Sequence, residues 1–99
     1  MAQDPFHILE KMDPELVNLV KDSKKLAVTD GALPKKFKLL VAMALDAAHG
    51  SAAGVKSLAL QAMQAAATKE EVTETLRVAL YVSGAGAVFT AVEAFEEIF

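Results

Sequence analysis

Apolar positions recur every three to four residues along most of this chain, and proline, glycine and capping side chains mark the breaks between the periodic stretches. Asp4-Pro5 and Asp13-Pro14 each place a carboxylate before a proline, a pairing suited to the first turn of a helix. The first predicts a short helix around Phe6 to Lys11. The second predicts one running to about Leu26, with Leu16, Val17, Leu19 and Val20 on one side. Asp30-Gly31 is turn chemistry and Pro34 opens a third helix to about Ala48. That helix is apolar over roughly 240° of its circumference, with Lys38, Asp46 and His49 in the polar strip. A fourth, from about Ser51 to Ala66, is apolar over roughly 220°, with Ser57, Gln61 and Gln64 opposite. Thr68 and Glu71 in "TKEE" stand in a capping-box relation and start a fifth. After "SGAGA", the segment "AVFTAVEAFEEIF" reads as a last helix with Phe89, Val92, Phe95 and Phe99 at core-like spacing. No run alternates like a strand. The pattern predicts an all-α bundle of about five to six helices, one domain over residues 1–99.

Helices apolar on more than half their circumference need cover on two sides, and a domain this small supplies one of them. The other is expected from a second copy of the chain, which predicts a homo-oligomer. The third and fourth helices are the expected interface, especially Val55, Leu58, Leu60 and Met63, and Met63→Glu is expected to break it.

Composition sharpens this picture. Hydrophobic residues make up 54% of the chain, and nineteen of them are alanines, so the surplus lies in small side chains. The net charge of −3 and pI of about 5.3 give no electrostatic footprint for nucleic acid. The lysines of "LPKKFKLL" read as the solvated start of a helix. There is no cysteine, which excludes disulfides, thiolate metal sites and thiol redox chemistry. "MAQDPFHILEKMD" has acids where a leader needs basic residues, and the uncharged stretch 78–92 is shorter than the about 20 residues that span a bilayer. A soluble, cytoplasmic domain without membrane contact is expected.

Candidate chemistry is sparse. "SGAGA" contains G-x-G but follows a helix and precedes no lysine, so a bend or a close helix contact explains it better than phosphate binding. His49 lies three residues after Asp46 on a predicted helix, so the pair could form a general base with its orienting carboxylate. His49 beside the last carbonyls is also favourable to the helix end through the dipole, and this structural reading is the preferred one. Two ligands do not make a metal site, and the other histidine, His7, is distant in sequence; no metal and no cofactor is expected. Ser51 reads as an N-cap rather than a nucleophile. Met43 and Met63 read as core fillers.

The run "LPKKFKLLVAMALDAAHG…GVKSLALQAMQAAATKEEVTETLRVALYVSGAGAVFTA", residues 33 to 92, resembles the carboxymuconolactone decarboxylase family of the alkylhydroperoxidase D-like superfamily. The resemblance implies an all-α protomer assembling into trimers or hexamers. In the redox-active branch the junction of the third and fourth helices holds Cys-x-x-Cys, then His four residues on, with Glu on the preceding helix. Those positions fall here on Ser51, Gly54, Leu58 and near Leu39, so none of the four groups is retained. A serine hydroxyl stays protonated at neutral pH and forms no disulfide, which excludes thiol peroxidase and disulfide reductase activity. Ala66 stands where the family usually ends a helix with glycine, which costs on the order of 1 kcal/mol if the position is left-handed. The expected function is a catalytically silent homo-oligomeric module. Two alternatives are a subunit of a larger closed assembly, engineered or natural, with a second protein component, and an enzyme of the decarboxylase or lactone branch using a pocket near His49.

Overall fold

Capping chemistry sets most of the element boundaries. The computed structural model describes residues 6–99 and holds six helices: α1 (Phe6–Met12), α2 (Pro14–Val28), α3 (Lys35–Ala48), α4 (Ala52–Gln64), α5 (Lys69–Ser83) and α6 (Ala85–Phe95). There is no strand among the described residues. The Asp4-Pro5 cap lies outside them. Asp13 accepts from the Leu16 N–H at 3.1 Å and starts α2. Asp30 accepts from the Lys35 N–H at 2.6 Å and starts α3, with Pro34 just outside the helix. Thr68 and Glu71 form the expected capping box of α5, at 3.0 and 2.9 Å. Within "SGAGA" one residue makes the break: Gly84, at φ +86°, separates α5 from α6 in a conformation that favours glycine. Gly86 is already helical, and nothing crowds it.

The body is made of α3 to α6. Helix α3 is central and packs on α4, α5 and α6, while α6 also packs on α4 and α5. Eight of the fourteen residues in the buried cluster are alanines, which lets the helix axes approach closely. Leu39, Met43, Val55 and Val72 are its largest fully enclosed side chains.

Helix α6 departs from the sequence expectation. It turns Ala87, Ala91 and Ala94 inward and leaves Phe89 and Val92 largely exposed. The alanine face fits between three helices, which a phenylalanine face would hold apart. At the end of α6, Phe95 meets Phe99 edge to face at 5.3 Å, and Lys56 pairs with Glu97 at 2.8 Å, tying the last turn to α4.

Helices α1 and α2 form a hairpin that stands off this body. Among the described residues α1 packs only on α2, and α2 packs only on α1 and α3. Val17 is the one buried residue of the pair, and Val28 touches the main cluster. The radius of gyration is 14.3 Å, above the about 13 Å of a compact chain this long.

Candidate functional site

The break between α3 and α4 is a tight helix stop. Gly50 adopts φ +81°; its N–H donates to Ala47 O at 3.2 Å, and the Ser51 N–H donates to Asp46 O at 2.9 Å. This is a Schellman closure followed at once by a new N-cap, since Ser51 Oγ accepts from the Gly54 N–H at 3.2 Å. The serine expected as a cap is one.

Asp46 and His49 do not come together as a base and its orienter. His49 is exposed at the C-cap of α3, and no hydrogen bond or ion pair joins it to Asp46. The Asp46 side chain instead lies against the first turn of α4. A Cβ on Gly54 would sit 2.1 Å from Asp46 Oδ2 and 2.9 Å from Ser51 Oγ. Helix α4 has no acid in its own first turn, so Asp46 places a carboxylate at the positive end of its dipole from the preceding helix. The signal for this was present in the sequence as a glycine four residues into a helix start, where a side chain would otherwise be expected.

Each position aligned with the redox motif therefore has a structural occupant. Ser51 caps, Gly54 makes room for Asp46, Leu58 is half-buried against the core, and Leu39 is fully buried in it. No group of three or more His, Cys, Asp or Glu side chains among the described residues is placed to hold a metal ion.

The four residues expected at a subunit interface are placed unevenly. Val55 is 0% exposed within its own protomer and has no surface left to offer. Leu58 and Met63 are half-buried against that same core, and Leu60, 39% exposed, keeps the most surface of the four. The larger uncovered apolar surfaces lie elsewhere. A groove of about 520 Å³ runs between α3 and α5, walled by Phe37, Val41, Leu45, Val78 and Val82 among others, with Glu71 and Glu74 near one end. A second recess of about 590 Å³, near the start of α3 and the end of α4, is more polar and includes Asp30, Lys35, Lys36 and Gln61. Its Lys36 is engaged, pairing with Glu71 at 3.1 Å and lying over the Phe37 ring at 4.9 Å. Glu71 accepts from the Thr68 N–H and pairs with Lys36, and both hold its carboxyl below the ordinary glutamate value.

Fold and junction together define a cysteine-free, all-helical domain built around a helix–break–helix centre. The carboxymuconolactone decarboxylase family model matches residues 14–97, and the chain belongs to that family. A carboxymuconolactone decarboxylase family protein from Legionella pneumophila, known from a crystal structure in its apo form, is similar at 37% identity and a TM-score of 0.81. The match covers 88% of this chain and 78% of that one. No curated protein matches the sequence. No helix among the described residues is long and apolar enough to cross a membrane.

Proposed function

We propose that this chain is a self-associating helical module of the carboxymuconolactone decarboxylase family, without thiol peroxidase or disulfide reductase chemistry. The observation that carries the reading is the apolar surface a single protomer leaves uncovered. Leu19 and Leu26 on α2, Val41 and Leu45 on α3, and Val78 and Val82 on α5 are all more than half exposed. Surfaces of this kind, arranged in continuous stripes and grooves, mark contacts with another chain. The absence of cysteine supports the second half of the proposal, because peroxide reduction in the redox branch runs through a thiolate.

The test is native mass by light scattering after size exclusion, at two protein concentrations. A trimer or hexamer of the 10.5 kDa chain is the expected result. A discrete particle of many more chains, or one that forms only with a second protein, would favour the larger assembly. A monomer at both concentrations would overturn the proposal.

A further inference from the structure

The protomer leaves two apolar faces without partners, and they match. On α2, Leu16, Leu19, Val20, Ser23, Leu26 and Ala27 follow helical spacing and form one stripe, all of them exposed. That stripe lies away from Val17, the buried residue of α2, and from Val28, which packs against the main cluster. The second face is the α3/α5 groove. Its α3 wall runs from Phe37 to Ala48 and its α5 wall from Glu71 to Ser83. The stripe and the α3 wall each advance eleven residues and the α5 wall twelve, about 16–18 Å of helix.

Charge supplies an orientation. Lys24 borders the α2 stripe, and Glu74 lies on the groove wall near its Phe37 end. Neither is in an ion pair among the described residues, unlike Lys21 with Glu10 and Lys36 with Glu71. An α2 helix laid antiparallel to α3 would bring Lys24 to Glu74, Leu26 to Phe37 and Leu16 toward Val82.

The arm does not fill its own groove, since α2 packs on α3 alone in the body and not on α5. The connection is held there from both sides: the Lys35 N–H donates to Asp30 Oδ1 at 2.6 Å, and Lys38 Nζ donates to Thr29 O at 2.7 Å. We propose that α2 is an exchange arm, its apolar stripe seated in the α3/α5 groove of a second copy of this chain. The inference rests on the self-association reading above and names the surfaces involved. Each chain offers one arm and one groove, so the contact closes as a mutual pair or as a ring.

The lack of native cysteine makes the test clean. Val20→Cys on the stripe and Val78→Cys at mid-groove, which the register above sets opposite each other, are made in separate chains of which one carries a size tag, then mixed and oxidised. The expected main product is a disulfide-linked pair containing one chain of each kind. A Leu19→Glu/Leu26→Glu arm should abolish that product and lower the native mass, while helicity by circular dichroism stays unchanged because both residues are exposed. An oligomer that forms normally but gives no mixed cross-link would overturn the exchange arm and leave self-association standing. A cross-link appearing only within single chains of the Val20→Cys/Val78→Cys double variant would overturn it in favour of an arm that folds back. A monomer at every concentration would remove both readings.

Discussion

Ala66 and Gly54 show how single residues record the constraints at the two ends of α4. Ala66 sits at φ +77°, the residue after the C-cap, with its N–H donating to Met63 O at 3.0 Å and the Ala67 N–H to Ala62 O at 2.9 Å. This is a Schellman closure with a Cβ in the left-handed region, where glycine carries no steric penalty. Ala66→Gly is expected to raise stability by about 1 kcal/mol, read as a higher urea midpoint with an unchanged slope. Gly54 presents the reverse case. A glycine-to-alanine change in an open helix stabilises by up to about 1 kcal/mol. Here the new Cβ would land on the Asp46 carboxylate and displace it. The gain is expected to appear only when Asp46→Ala is also present, giving a coupling of about 1 kcal/mol or more in a double-mutant cycle. The strain at Ala66 was legible in the sequence as a missing glycine. Gly54 marked a crowded helix start in the sequence, but that Asp46 is what crowds it was not legible, because the direction of Asp46 is set by how α4 leaves the break.

At the scale of the element, local chemistry fixed boundaries better than faces. Helix α5 begins where Thr68 and Glu71 predict it, and Thr68→Ala is expected to cost about 1 kcal/mol. Glu71 also gives the helix a pH dependence. Its folded-state pKa is depressed, first by the Thr68 backbone N–H and next by Lys36. The stabilisation is therefore present above the ordinary glutamate value of 4.5 and is lost as pH falls through the lower folded value. Glu71→Gln should lessen the drop in urea midpoint between pH 7 and pH 3.5, and an unchanged drop would assign the acid sensitivity to other carboxylates. Faces were less legible. The aromatic spacing of α6 points to a phenylalanine core, yet its alanines are inside. Both faces carry helical periodicity, and the choice between them depends on the room that three neighbouring helices leave.

For the whole molecule, the surplus of apolar surface was visible in the sequence, but its location only in part. The wide arcs of α3 and α4 pointed to an interface on both helices, with its chief residues on α4. In the folded protomer α4 turns most of that arc inward, and the exposed stripes lie on α2, α3 and α5. Met63→Glu is consequently expected to lower protomer stability by about 1–3 kcal/mol whatever it does to assembly, since Met63 packs on the protomer's own core. Its urea midpoint should fall below the parent's at concentrations where both run as single chains. Leu60→Glu, on the outer side of α4, should leave that midpoint nearly unchanged and is the cleaner probe of any contact made by this helix.

The sequence alone determined the helical class, the family resemblance, most helix starts and the absence of cysteine from the chain. These rest on short-range rules: a cap satisfies N–H groups three residues away, a proline fixes its own φ, and a cysteine is present or absent. Only the tertiary structure decided that Asp46 serves α4 rather than His49, that Val55 belongs to the protomer's interior, and that α2 stands off with a bare apolar stripe. Those outcomes depend on which helix lies beside which, and in what orientation. Helical periodicity shows that a face must be covered; the packing of the other helices selects what covers it.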